Sequence, residues 1–222
     1  MNADYRAQLW DYYDRRAAVR DRRALSNQEI GPQVRYALEY WRGLGVDVSP
    51  SEIEAENAQV RGLLSSLEST RFLEVGTGPG TYTAMIPGRG IALDQSDAAL
   101  RILRSHSPRV PTIRADALCL PLRERCVGRV FATHLYGLLD ESERVTLLNE
   151  ARRVASQIIV LDAGRPAGVP AEQLQERGSG SDQVIYRVLR RHFEAAELAD
   201  EIGGHALYAG RFYVVAACAL SP

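Results

Sequence analysis

Apolar residues recur with two different periods along this chain, and the change from one to the other divides it. Residues 4–24 interleave Tyr5, Trp10, Tyr12 and Tyr13 with Arg and Asp, which predicts an amphipathic helix carrying surface ion pairs such as Asp11 with Arg15. Gly31-Pro32 interrupts, and Val34, Leu38 and Trp41 resume helical spacing as far as Gly43. Ser49-Pro50-Ser51-Glu52 combines an N-cap serine, a first-turn proline and a capping-box glutamate, so a helix is expected from there to about Leu67. Beyond it the apolar runs shorten. Strands are predicted at 71–75, 90–94, 110–114, 127–133 and 157–162, with helices near 80–86, 97–105 and 141–154 between them. Such alternation specifies a parallel sheet covered on both faces. Residues 163–182, with Gly164, Pro166, Gly168, Pro170 and the run Gly178-Ser179-Gly180-Ser181, read as a loose flap. A helix at 194–202 stops at Gly203-Gly204, and His205–Ala209 and Phe212–Ala219 read as two strands joined at Gly210-Arg211.

The first of the parallel strands runs into Glu74-Val75-Gly76-Thr77-Gly78-Pro79-Gly80, and Asp94 ends the second strand. Glycine is required where φ is positive or where a ligand touches bare backbone. A carboxylate about 20 residues beyond a glycine loop is where a nucleotide-binding βαβ unit holds a ribose. This pattern resembles the first motif of class I S-adenosylmethionine (SAM) methyltransferases, and the C-terminal strand pair is similar to theirs as well. The resemblance covers residues 71–219. It implies a doubly wound, Rossmann-like α/β fold: a seven-stranded, mostly parallel sheet with a C-terminal antiparallel hairpin. Residues 1–68 are expected to form a helical lid and residues 69–222 the SAM-binding core, together one domain.

The same resemblance assigns roles. Glu74, Thr77 and the backbone of Gly76, Gly78 and Gly80 would hold the amino-acid end and sulfonium of SAM. Asp94 would accept from both ribose hydroxyls, with Gln95 and Ser96 flanking the adenine. Asp116 would receive the adenine amino group, with Ala117 and Leu118 beside it, and Thr133 would complete the cofactor site. From the residues alone, Asp94 is either this ligand or a cap for helix 97–105. His134, after the fourth strand, is either a general base or a pocket-shaping histidine, and Tyr136 stands next to it as a second candidate. Trp10, Tyr12 and Tyr13 either face the sulfonium, as lid aromatics do in related enzymes, or anchor the first helix. The arginines at 15, 16, 20, 22 and 23 read as a solvated face, because Asp14 and Asp21 interrupt them. His106, His192 and His205 have no evident partner in the pattern. Where many relatives start the fourth strand with Phe-Asp, this chain has Val127-Gly128.

Composition narrows the chemistry. The chain of 222 residues contains no lysine, which removes Schiff-base, pyridoxal-phosphate and P-loop mechanisms. A net charge of −1 leaves no footprint for nucleic acid or an anionic membrane, and no apolar run is long enough to span one. Cys119, Cys126 and Cys218 form neither a disulfide set nor a zinc site, so a reducing, cytoplasmic compartment is expected and no metal. Neither an Asn/Asp-Pro-Pro-Tyr signature nor a Pro-Cys nucleophile is present, which argues against nucleic-acid bases as acceptor. The expected reaction is methyl transfer from SAM to a small organic acceptor, on oxygen, nitrogen or carbon, as in compact bacterial enzymes of quinone and secondary-metabolite pathways. A non-catalytic SAM-binding partner subunit is an alternative. An NAD-dependent oxidoreductase fits less well, because no chain remains for a substrate domain.

Overall fold

The computed structural model describes residues 3–24, 31–178 and 184–220, with the backbone alone at 3–4, 18–24 and 32. Three helices come first: α1 (Ala3–Ala24), α2 (Pro32–Gly43) and α3 (Pro50–Ser65). The capping box at the start of α3 is closed in both directions between Ser49 and Glu52. The parallel strands follow as β1 (Thr70–Val75), β2 (Gly88–Asp94), β3 (Thr112–Arg114), β4 (Arg129–Thr133) and β5 (Gln157–Ala163). Helix α4 (Asp97–His106) lies between β2 and β3, and α5 (Glu141–Val154) between β4 and β5. A hairpin of β6 (Glu172–Gly178) and β7 (Ile185–Arg191) precedes α6 (Ala195–Ile202), β8 (His205–Ala209) and β9 (Tyr213–Ala219).

The main sheet has seven strands in the order β3-β2-β1-β4-β5-β9-β8. Strands β1 to β5 are mutually parallel, and β9 is inserted antiparallel between β5 and β8. The period of two is visible in the core. Leu73, Val75, Val130, Ala132, Ile158 and Val160 face one layer with Leu147, Ala151, Leu198 and Ile202. Phe72, Phe131, Ile159 and Leu161 face the other with Val34, Leu38, Trp41, Ile53 and Val60 of α2 and α3. Burial of each such side chain is worth roughly 1.5–3 kcal/mol, so stability resides in this sandwich.

Three expectations are corrected here. No helix forms near 80–86; residues 78–85 are a succession of turns, because Gly76, Gly78 and Gly80 take φ of +65°, +55° and +83°, values a right-handed helix excludes. No helix N-terminus therefore follows the glycine loop. The third strand begins at Thr112, since Pro111 has no N–H to give the ladder and offers only its carbonyl to Ala92. Residues 172–178 form an edge of the β6–β7 hairpin, so that part of the expected flap at 163–182 is ordered strand; Ser179, Gly180 and Ser181 lie outside the described residues. The hairpin is rooted on the main sheet by a bridge between Gly164 and Phe193. The Val127-Gly128 start of β4 also has a steric reason, for a Cβ on Gly128 would come within 2.3 Å of Thr70 Oγ1.

Candidate functional site

A cavity of about 300 Å³ lies beyond the carboxyl ends of β1, β2, β4 and β5, where ligands of open α/β sheets bind. Helices α1 and α2, the turn after β1 and the β6–β7 hairpin close it.

One end is built from the sheet. Gly76, Thr77 and Gly78 supply its floor, and a Cβ on Gly78 would meet open space, so the backbone there is bare toward the cavity. Asp94 accepts from Gly78 N through Oδ2 at 2.8 Å and from Ser96 N through Oδ1 at 2.8 Å. Ser96 is itself the N-cap of α4, which leaves Asp94 no capping role. A carboxylate has about four acceptor positions, and the two backbone bonds leave the others for a ligand. Burial pushes the Asp94 carboxyl upward against the backbone N–H groups of Ser96, Gly78 and Gln95 that hold it down. Gln95 and Ser96 line the same wall. Asp116 accepts from Leu118 N at 2.9 Å and pairs with Arg6 of α1 at 2.5 Å, with Ala117 and Leu118 adjoining. Asp14, further along α1, accepts from Ser96 Oγ at 2.8 Å and from Ala98 N at 3.1 Å. Helix α1 is thus latched over this end at two carboxylates.

Glu74 does not reach the cavity. It is fully buried behind the loop and accepts from the hydroxyls of Thr133 at 2.7 Å, Thr77 at 3.1 Å and Thr83. Burial raises its pKa and the three hydroxyls oppose the rise. Its carboxyl ties the ends of β1 and β4 to the turn, with Thr133 and Thr77 presenting their other faces to the cavity. Gly80 is also displaced from the role expected of it: it lies against α4, where a Cβ would stand 2.8 Å from Leu103. Gly80→Ala should therefore lower thermal stability by about 1–3 kcal/mol through strain at positive φ and overpacking. Gly62→Ala, in the exposed interior of α3 with nothing within 4 Å, should raise it by about 0.5–1 kcal/mol. Melting curves of the two variants check the pair.

The other end belongs to β4, β5, α2 and the hairpin. His134 leaves β4 with φ +56°, which turns its half-buried imidazole into the cavity. Its Nε2 lies 3.2 Å from the Tyr82 hydroxyl and its Nδ1 lies 3.9 Å from Asp162 Oδ1. Asp162 is fully buried and accepts from Arg190 at 2.7 Å, Ala163 N at 2.7 Å and Gly137 N at 2.8 Å. Tyr136 is placed elsewhere. Its ring sits in the core 5.9 Å from Phe193, and it does not line the cavity. Tyr82 occupies the position beside His134 instead; its signal was a lone tyrosine directly after the glycine loop. Asp162 also escaped the sequence reading, although an acid closing the apolar run Ile-Ile-Val-Leu marked it.

The N-terminal aromatics divide. Tyr12 is fully buried against Tyr13 at 4.8 Å and Tyr186 at 5.3 Å, and it anchors α1 to the hairpin without lining the cavity. Tyr13 and Trp10 do line it. Arg15 is exposed and paired with Asp11 at 2.8 Å, whereas Arg16 departs from the expected solvated face and lies over the Tyr36 ring at 4.5 Å. The side chains of Arg20, Arg22 and Arg23 lie outside the described residues. His192 does have partners: its Nδ1 donates to Pro170 O at 3.0 Å, so Nε2 accepts from the Tyr40 hydroxyl at 2.5 Å. Burial, then the neighbouring Arg190, pushes it down to about 4, which keeps it neutral. Among the described residues no group of three or more potential ligands gathers for a metal, and no helix is long and apolar enough to cross a membrane.

With this geometry in view, the comparisons with known proteins are specific. Residues 72–157, from β1 to the first residue of β5, match the family model described as a methyltransferase domain. That match spans less than half of the chain. The chain as a whole is similar to DhpI solved as a complex with SAM and HEP, at 16% identity, covering 100% of both chains with a TM-score of 0.65. It is similar to PH0226 from Pyrococcus horikoshii OT3 at 14% identity, covering 82% of this chain and 99% of that one, TM-score 0.58. The glycopeptide N-methyltransferase MtfA, solved with S-adenosylhomocysteine (SAH), aligns at 19% identity over 74% of this chain and 86% of its own, TM-score 0.53. No curated protein matches the chain. At these identities the likenesses show the fold: the chain has the Rossmann-like fold of these proteins.

Proposed function

We propose that the chain is a SAM-dependent methyltransferase acting on a small organic acceptor. The observation that carries this reading is one continuous cavity. It runs from two carboxylates, Asp94 and Asp116, past the bare backbone of Gly76–Gly78, to the imidazole of His134. SAM, when bound, supplies an electrophilic methyl group on a sulfonium. Asp94 would hold the ribose diol, Asp116 and Leu118 the adenine, and the loop backbone with Thr77 and Thr133 the amino-acid end. Tyr13 would present its ring to the cavity side of the sulfonium. His134 would take the proton that the acceptor loses, and the buried Asp162 behind it would favour the imidazolium that results. The imidazole at the closed end supports catalysis over a purely regulatory SAM-binding role.

Residues 1–68 act as the lid in this reading. The contacts of α1 with Asp116, Ser96 and Ala98 must open for entry of the cofactor and re-form around it. SAH should therefore slow hydrogen exchange along α1 and tryptic cleavage at Arg6, Arg15 and Arg16. Equal cleavage with and without SAH would make α1 a permanently docked structural helix. For the reaction itself, calorimetry should show that SAH binds and NADH does not. Labelled SAM supplied with a metabolite extract should transfer its methyl group into the small-molecule fraction. A strain lacking the gene should accumulate a compound lighter by one methyl group. Label recovered only in macromolecules, or no transfer by a protein that binds SAH, would overturn the proposal.

A further inference from the structure

The two ends of the cavity differ in charge. Acidic groups gather at the end built from the sheet, and each is engaged: Asp94 by backbone N–H groups, Asp116 and Glu143 by Arg6. The end built from α1, α2 and the hairpin carries Arg16, Arg177 and Arg190. Arg190 is balanced by Asp162. Arg16 and Arg177 are not balanced. Arg177 lies over the Tyr40 ring at 5.4 Å and donates to the Gln175 side-chain oxygen. Arg16 lies over Tyr36 and donates to the Tyr12 hydroxyl. Among the described residues neither has a carboxylate partner. Rings and neutral oxygens hold the two guanidinium groups in place, but they leave the positive charge uncompensated in an enclosed space, which is costly. Positive charge is in surplus here, and the one buried carboxylate at this end, Asp162, is already taken by Arg190.

We infer that this end is an oxyanion subsite, and that the acceptor carries a carboxylate, sulfonate or phosphoryl group held by Arg16 and Arg177. The inference rests on the methyltransferase reading above. Arg177 and Arg190 stand on the inward face of one hairpin, and the Asp162 that pairs with Arg190 lies behind His134. The anchored oxyanion therefore fixes the rest of the acceptor near the imidazole. The cofactor's own carboxylate has the same chemistry and is the rival source of negative charge, so the test has to separate the two.

The probes are benzoate, its neutral isostere benzamide, and inorganic phosphate as a test of charge alone, each titrated calorimetrically into SAH-saturated protein. Benzoate should bind at least about tenfold more tightly than benzamide, the contribution of a charge-assisted bond, and phosphate should compete with it. Arg177→Gln and Arg16→Gln should each weaken benzoate by about tenfold or more while leaving SAH affinity within about twofold. Equal binding of benzoate and benzamide to the wild-type protein, or none of either, would overturn the inference whatever becomes of the variants. A tenfold loss of SAH affinity in the variants, with benzoate excluded by SAH, would assign the arginines to the cofactor's carboxylate and overturn it too. A wild-type protein that takes up no SAH would remove the parent reading and this one with it. SAH binding without anion preference removes this one alone.

Discussion

His134→Asn should lower kcat by about 10²–10⁴ while leaving SAH affinity nearly unchanged, the usual contribution of a positioned proton acceptor. Asparagine is the informative replacement because His134 has φ +56°, a conformation that asparagine tolerates and alanine does not. The loss then reports on the imidazole and not on a strained strand end. The wild-type rate should fall toward low pH as the imidazole takes up a proton, and that limb should be missing in the variant. A loss of less than about tenfold with the profile unchanged would mean that alignment alone drives transfer. It would also fit methylation of the oxyanion itself, where no proton has to leave.

Asp94→Asn should weaken SAH binding by about ten- to hundredfold, the range expected when hydrogen bonds lose a charged partner. The amide oxygen can still accept one of the two backbone bonds that Asp94 makes to Gly78 and Ser96, so the glycine loop keeps its shape. Asp94→Ala would release both N–H groups and confound loop geometry with ligand contact. Because burial raises the Asp94 carboxyl, it protonates at higher pH than an ordinary aspartate. SAH affinity should therefore weaken on the acid side earlier than for a solvated carboxylate, and the asparagine variant should lack this dependence. Calorimetric titration across the acid range measures both effects. Unchanged affinity in a folded variant would remove the ribose contact from the site.

The parts of this molecule that were legible in its sequence are those whose partners are apolar. Strands β1, β4 and β5 are buried on both faces and read as short apolar runs, and the caps at Ser49 and Gly203 carry their own local chemistry. The hairpin was not legible. Its inward face carries the polar residues Gln173, Gln175, Arg177 and Arg190, two of which line the cavity, so the apolar alternation that marks a strand against a core is absent. The turns at 78–85 misled for a related reason, since glycine spacing suggests a loop leading into a helix but does not report φ. Asp94, Asp116 and His134 were visible as polar residues at the ends of strands. Tyr136 was not separable from Tyr82, because the phase of the short turn at Tyr136–Leu138 decides which ring enters the core. Glu74 reads from the sequence as a cofactor contact, because nothing local marks the three threonine hydroxyls that hold it behind the loop.

The two ends of the cavity stand on different supports, and they are free to evolve at different speeds. Asp94 and Thr133 close strands whose residues Leu93, Val130 and Ala132 pack the core, and Asp116 follows the third strand, so change beside them is restrained by stability. The end holding Arg16, Tyr40 and Arg177 hangs on α1, α2 and a hairpin rooted at Gly164 and Phe193, and there Arg16 and Arg177 meet rings and neutral oxygens of those same elements. The matched segment, 72–157, begins at β1 and stops before that hairpin. The match thus falls on the half of the cavity that holds Asp94, Asp116 and His134. Under the proposed function the acceptor would be chosen by the half outside that match, so two proteins alike over the matched segment could act on unrelated compounds.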